Sequence, residues 1–165
     1  MSLDPIKCFR LREIKVRNAR FRPAKDIDDL VIDAAKTTVQ TRRWVEHAFG
    51  KRAGENGQAD FLKTIVHFGL RLVNIAADQL GSGEEGKDQV VYTIESSFAV
   101  YFEIKCRDYD EAGLAHFLEA NVPHIAWPFW REHVFSTLRS ASLPLVDIPL
   151  MPGIPKSQQD QPDPQ

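Results

Sequence analysis

The chain has 165 residues, of which 43% are hydrophobic and 27% are charged, a balance that fits one domain, or one domain with a tail. Its formal net charge is −2 and its pI is about 6.2, so global charge favours neither nucleic acid nor an acidic membrane surface as a partner. No segment approaches the roughly 18 to 20 apolar residues of a membrane helix. Residues 1–12 lack the apolar region of a secretory signal, so we expect a cytoplasmic protein without membrane insertion.

The two cysteines, Cys8 and Cys106, each stand alone in their segments. No C-x-x-C motif and no even framework of cysteines accompanies them, which favours a reducing cytosol. Isolated cysteines are usually buried hydrophobic residues. We therefore expect two buried thiols rather than a disulfide between them.

The first strand is predicted over residues 6–22. Its apolar residues have one parity up to Leu11 and the other from Ile14 onward, which predicts a bulge or sharp twist near Arg12 and Glu13. The segment carries seven Lys and Arg residues and one acid. We interpret it as a solvated edge strand protected by its charges, with a basic docking strip as the alternative.

Three shorter segments follow. Residues 26–36 begin with acids and could form a short helix or an irregular crossover. Residues 37–49 are rich in β-branched residues, include Trp44, and predict a second strand. Residues 51–58 contain two glycines and an asparagine without a large apolar residue, a composition typical of a turn.

The strongest pattern is the alternation in residues 61–75 and 90–106. Most even-numbered positions in both segments are apolar, while the odd positions of the second include Thr, Ser, Glu and Lys. This period of two predicts two long, half-buried antiparallel strands. The glycine-rich residues 81–88 should join them as a hairpin.

The same residues 81–88 match the pattern G-x-x-x-x-G-K of phosphate-binding loops. Asp88 replaces the Ser or Thr that would contact magnesium, and Glu84 and Glu85 would repel phosphates. A strand rather than a helix N-terminus follows. The hairpin turn, for which glycines supply positive φ values, is the preferred interpretation.

Helical spacing begins after Arg107. Residues 109–121 predict a helix, and the prolines that follow are expected to interrupt it. A second, amphipathic helix should begin near Pro128 and end at residues 142–144. The following segment is punctuated by prolines and should be extended, and residues 154–165 form a polar tail that should be disordered. We predict an α+β fold over residues 1–153, a four-stranded antiparallel sheet with helices packed on one face.

Sites for chemistry are weak in this sequence. None of the five histidines pairs with another histidine or a cysteine at the ligand spacing of a structural zinc site. No serine or cysteine beside His124 or His133 forms a recognisable nucleophile motif. We expect neither an enzyme nor a metal site. Phe9 and Phe21 interleaved with basic residues leave single-stranded nucleic-acid binding as a minor alternative.

Residues 121–152 and the order of elements resemble the SecB family of export chaperones. The matching motifs are Asn121-Val122-Pro123, Trp127-Pro128-Phe129, Arg131-Glu132 and Leu143-Pro144-Leu145. They correspond to the proline turn, the aromatic-Pro-aromatic step, the start of the helix and the extended segment of that family. The resemblance covers roughly residues 6–152, with its specific motifs at 121–145 and only strand order elsewhere.

The resemblance implies a holdase that works without ATP and without a cofactor. SecB-like proteins form tetramers, as dimers of dimers, and hold unfolded, export-bound chains in long hydrophobic grooves. A non-native chain exposes apolar segments, and their burial in such a groove is favourable by about 25 cal/mol per Å². Specificity for sequence is low because burial is not directional.

Two features depart from the export members of that family. Those members use acidic sheet residues to dock on the SecA motor, whereas the first strand here is basic, which puts SecA docking in doubt. They also have a second C-terminal helix, where this chain has Pro149, Pro152 and Pro155. In both respects the chain resembles divergent SecB-like chaperones, some of which escort an antitoxin or another dedicated client.

The family pattern also implies roles for individual residues. The expected client-binding residues lie on the second strand, the proline turn and the extended segment: Trp44, Val45, Trp127, Phe129, Leu143, Leu145 and Ile148. Helix packing or the subunit interface is expected to use Trp130, Val134 and Leu138. Plain core packing is the alternative for each client-binding residue.

Overall fold

The computed structural model describes residues 5–25, 27, 32, 36–50, 60–74 and 89–150. The turn at 51–58, the glycine-rich residues 81–88, the tail at 154–165 and most of the crossover at 26–36 lie outside the described residues. The predictions for those segments therefore stay predictions.

Four strands form one antiparallel sheet, and a helical layer covers one of its faces. The elements are, in chain order, α1 (Pro5–Cys8), β1 (Phe9–Pro23), β2 (Thr37–Gly50), β3 (Phe61–Asn74), β4 (Gln89–Ile104), α2 (Glu111–His116), a π-helical segment (Phe117–Asn121) and α3 (Val122–Ser140). The order across the sheet is β1-β4-β3-β2, so β1 and β2 are its two edges. The predicted α+β architecture is confirmed.

The alternation in β3 and β4 sorts their side chains between two faces, as predicted. Even-numbered residues such as Phe68 and Phe98 are buried against the helices. We call that side the helix face, and the opposite side the open face. Val90 departs from the predicted pattern and is partly exposed, because the pairing of β3 with β4 shifts register between Leu72 and Val73.

Two irregularities in β1 decide where its side chains point. The predicted bulge is confirmed by a register shift between Leu11 and Glu13, and a second, unpredicted shift lies between Val16 and Asn18. An extra residue in a strand reverses the faces of all residues beyond it. Leu11, Ile14 and Val16 consequently all lie opposite helix-facing residues of β4.

The helical layer runs without a break from α2 to the end of α3, so the prediction that prolines would interrupt it is wrong. Pro123 lies in the first turn of α3, where a missing N–H breaks no helical hydrogen bond. Just before it, the Val122 N–H donates to the Phe117 carbonyl, the i→i+5 pattern of a π-helix. Pro128 lies inside α3 at a cost of roughly 3 kcal/mol. Burial of the two nearby tryptophans offsets that cost at about 25 cal/mol per Å².

The core lies between α3 and the helix face. Trp130, Val134 and Leu138 form the predicted stripe along α3, and none has exposed area. The Phe68 ring of β3 lies with its centroid 5.2 Å from Trp130 and 5.6 Å from Trp127. Among the described residues, no helix is both long enough and apolar enough to cross a membrane.

A tight reversal ends α3. Ser142 has φ 56°, in the left-handed region. The Leu143 N–H donates to the Leu138 carbonyl at 2.9 Å, and the Ser142 N–H donates to the Arg139 carbonyl at 3.1 Å. These bonds satisfy carbonyls that a helix end leaves free. The chain then continues without helix or strand over residues 143–150, which correspond to the predicted extended segment and are given that name below.

Cys8 and Cys106 form a disulfide, with Cα atoms 4.7 Å apart, so the expectation of two thiols is wrong. The reason is the order of the strands. Because β1 pairs with β4, Phe9 lies opposite Ile104 and the Lys105 N–H donates to the Cys8 carbonyl at 2.8 Å. The two cysteines therefore meet at one end of the sheet, which their sequence positions alone did not indicate.

Candidate functional site

The seven expected client-binding residues do not form one groove within a single chain. Trp44 and Val45 are neighbours in β2 and point to opposite faces, as strand geometry requires. Trp44 lies on the open face, where its ring stacks on His67 at a centroid distance of 4.5 Å. The Arg42 guanidinium lies 5.5 Å from the Trp44 ring. Val45 lies on the helix face and packs partly buried against the core.

Trp127 lies inside α3 rather than on the expected rigid turn. Its side chain is 4% exposed and lies 4.6 Å from the Trp130 ring. The indole N–H donates to the Pro149 carbonyl at 2.9 Å, so Trp127 fastens the extended segment to the helix. The alternative of core packing describes its place in the structure.

The extended segment has one buried and one exposed apolar side. Ile148 is buried in the core, and Leu143 packs partly buried against it. Leu145 is 56% exposed, and Leu150 is more exposed still. Of the three expected residues in this segment, only Leu145 therefore presents a large apolar side chain to solvent.

Phe129 lies on the other flank of α3, where it is 52% exposed. It borders a shallow cavity of about 290 Å³ between α3 and β1. We call this cavity the β1 groove; its lining residues are Ile14, Val16, Phe98, Phe129, Glu132, His133 and Ser136. Sequence reasoning did not name the β1 residues as site residues. The parity change that predicted the bulge was the signal, because it brings Ile14 and Val16 to the helix face.

The groove combines an apolar floor and walls with a polar rim. Val16 is 59% exposed on the strand side, and Phe98 at the floor is buried. Burial lowers the pKa of His133 from its ordinary value of 6.5, which favours the neutral imidazole. Glu132 at the rim pairs with Arg139 at 3.1 Å. The groove can therefore accept apolar side chains without desolvating a charge on its floor.

The three residues expected for helix packing or subunit contact lie in the chain's own core. Trp130, Val134 and Leu138 have no exposed area in a single chain, which is the helix-packing alternative. A contact between subunits needs exposed side chains. The exposed side chains of α3 include three that border the β1 groove, Phe129, Glu132 and Ser136.

The described residues show no arrangement typical of metal chemistry. Within that part of the chain, no group of three or more His, Cys, Asp and Glu side chains is placed to hold a metal ion. His133 faces the β1 groove, and His67 lies under Trp44 with its Nε2 atom 3.3 Å from a Glu46 carboxylate oxygen. The two histidines belong to different faces of the sheet.

Comparisons with known proteins identify the fold. No protein-family model and no curated protein sequence matches this chain. A solved structure does match: a SecB-like chaperone of Mycobacterium tuberculosis in complex with a ChAD peptide from an antitoxin. The TM-score is 0.66 at 15% sequence identity, and the match covers 91% of this chain and 95% of that chain. The SecB-like fold implied by the sequence resemblance is confirmed.

Proposed function

On the basis of the shared SecB-like fold, we propose that this protein is an ATP-independent holdase for unfolded or non-native polypeptides. The observation that carries the proposal is the β1 groove, a depression with an apolar floor and a polar rim in which Val16 and Phe129 are more than half exposed. A non-native chain offers extended apolar side chains, and their burial against such residues contributes about 25 cal/mol per Å². Neither a nucleotide nor a catalytic residue is needed for binding of this kind.

The exposed residues are the proposed client contacts. Phe129, Ile14 and Val16 would contact a client in the β1 groove, and Leu145 would contact it on the extended segment. Trp44 offers a separate aromatic contact on the open face. The other predicted residues would act indirectly, because they hold the shape of these surfaces from within the core: Val45, Trp127, Leu143 and Ile148.

The test is suppression of aggregation of a chemically denatured protein in the absence of ATP, followed by light scattering. The chain should suppress scattering at stoichiometric excess. The double variant Val16→Ser and Phe129→Ser should lose most of that suppression. A matched control, Ile6→Ser with Val90→Ser, also replaces two partly exposed apolar residues outside the groove and should behave like the unmodified chain.

Two outcomes would contradict the proposal. No suppression by the unmodified chain would exclude the holdase activity. Equal losses in the groove variant and the control variant would move client binding away from the β1 groove.

We further propose that the protein assembles as a homotetramer. The test is native mass spectrometry of the unmodified chain and of the groove variant. A tetramer in both samples supports a groove that is free for clients. A tetramer that separates only in the variant would identify the β1 groove as a contact between subunits, and a monomer throughout would contradict the proposal.

A cytoplasmic location and a role in protein export complete the proposal. The Cys8–Cys106 disulfide bears directly on the location, because disulfides persist mainly in oxidising compartments. Alkylation of free thiols at the moment of cell lysis tests the location: a reducing cytoplasm should leave both cysteines labelled, and protection of both would contradict a cytoplasmic location. For export, removal of the protein should delay processing of a secreted precursor, and the basic β1 disfavours SecA as the intermediate partner.

A dedicated chaperone for a single client is the second candidate. The similar solved structure holds an antitoxin peptide, which favours a client of that class. Affinity capture from the native host should return one dominant protein in this case, whereas many unrelated unfolded proteins would indicate a general holdase. Single-stranded nucleic-acid binding is the minor alternative, and filter retention at about 150 mM salt tests it.

A further inference from the structure

Four arginines meet at one end of the open face, away from the β1 groove. Strand pairing places Arg20 beside Glu95, then Gly69, then Arg42, in one row across all four strands. The next row on this face contains Arg22, Thr93, Arg71 and Gln40. We call Arg20, Arg22, Arg42 and Arg71 the arginine cluster.

Among the described residues, the charges of this cluster are only partly balanced. One carboxylate, Glu95, contacts Arg42 and lies 3.6 Å from Arg22. The Arg71 Nε donates to the neutral side-chain oxygen of Gln40. Within the described part of the chain, no carboxylate forms an ion pair with Arg20. Each guanidinium has five N–H donors, and over the described residues the cluster sets four positive charges against the single carboxylate of Glu95.

A depression lies within the cluster. Its volume is about 530 Å³, and Arg22, Arg42, Arg71 and Glu95 are among its lining residues. Gly69 forms part of its floor, and a Cβ atom there would come within 2.9 Å of the Arg42 side chain. The missing side chain therefore lets Arg42 lie across the sheet.

We propose that the arginine cluster binds an acidic segment of a protein partner. Guanidinium groups match carboxylates in a planar, two-bonded geometry. Four strands span about 14 Å between the outer two, at about 4.8 Å per step, and an extended peptide places side chains on one side every 6 to 7 Å or so. Two or three carboxylates of one extended segment would therefore reach the cluster together.

The surroundings favour a peptide over a nucleic acid. Single-strand binders stack successive bases on aromatic rings, whereas none of the described residues that line the depression is aromatic. Glu95 in the middle of the cluster would repel a continuous phosphate backbone.

The experiment measures fluorescence anisotropy of two labelled ten-residue peptides at about 150 mM salt. One has Glu at alternate positions between Gly and Ser, and the other has Gln at the same positions. The chain should bind the Glu peptide and not the Gln peptide. The double variant Arg22→Gln and Arg71→Gln should bind the Glu peptide about tenfold more weakly. This factor is the product of about threefold for each exposed arginine–carboxylate pair.

The matched control is Lys15→Gln with Lys63→Gln, which removes the same charge from the other end of the open face. It should change binding of the Glu peptide by less than about twofold, because its charges lie beyond the Debye length of roughly 8 Å from the cluster. Equal binding of the two peptides, or equal losses in the two double variants, would overturn the proposal. A single-stranded oligonucleotide of equal charge that binds more tightly and depends on the same arginines would replace it with a nucleic-acid site.

This proposal stands apart from the holdase. The arginine variant should retain suppression of aggregation, and the variant at Val16 and Phe129 should retain binding of the Glu peptide. Failure of one activity therefore leaves the other test intact.

Discussion

The two flanks of α3 each carry a large aromatic residue, which is buried on one flank and exposed on the other. Trp127 is 4% exposed and Phe129, two residues later, is 52% exposed. The extended segment covers the first flank, where the Pro149 carbonyl accepts a bond from the Trp127 indole. Between the second flank and β1 lies an open groove. An apolar side chain on a helix is therefore buried or presented to solvent according to what the rest of the chain brings to that flank.

The largest effect is expected from Trp130→Ala. Its ring has no exposed area and stacks on Phe68, so removing it should lower the free energy of unfolding by about 3 to 5 kcal/mol. Phe129→Ala, on the flank beside the β1 groove, should lower the free energy of unfolding by less than about 1 kcal/mol. Urea denaturation measures both. Equal losses would show that the two flanks are equally buried in the assembled protein.

A smaller loss is expected from Trp127→Phe, which keeps a ring beside Phe68 but removes the N–H bond to Pro149. We expect about 1 to 2 kcal/mol of destabilisation and several-fold faster tryptic cleavage after Arg139. Phe129→Leu, on the other flank, is the control and should leave the cleavage rate unchanged. Unchanged cleavage in both variants would mean that this hydrogen bond does not hold the segment.

Ser142→Gly tests the turn at which the extended segment begins to cover the Trp127 flank of α3. Ser142 is held at φ 56°, which glycine adopts without the steric cost of a side chain. We expect a gain of about 0.5 to 1 kcal/mol in the free energy of unfolding. The control, Ser140→Gly in the last turn of α3, should instead lower it, because glycine is a poor helix former. A loss in both variants would argue against the left-handed turn.

The smallest effect concerns His133 in the β1 groove. Burial lowers its pKa in the folded chain below 6.5, so the unfolded chain binds the proton more readily. Stability from this residue should be fully present above pH 6.5 and fall as the pH decreases below it, until the folded chain is protonated too. His133→Gln should remove this part of the pH dependence in thermal melts. The same slope in both proteins would indicate a solvated imidazole.

Local patterns predicted the strands and the packed stripe of α3, whereas the site depended on contacts that no local pattern contains. Alternation places Phe68 and Phe98 on one face, and the parity change in β1 locates the bulge. Pro128 misled the prediction because the burial of neighbouring tryptophans outweighs a local cost. The pairing of Cys8 with Cys106 depends on the order of the strands, and the place of Val16 in the β1 groove depends on the position of α3. Neither is contained in a local pattern.

The order of the strands also has a consequence during synthesis. Among the described strands, β1 is the first to be made and pairs only with β4, the last of them. At about 5–20 residues per second, the roughly 80 residues between the two ends take on the order of 4 to 16 s to emerge. Throughout that time β1 has no partner, and its apolar residues would be free to associate with other nascent chains. The many arginines and lysines of this strand then act as gatekeepers against aggregation, so a protein proposed to shield unfinished chains shields its own first strand by charge.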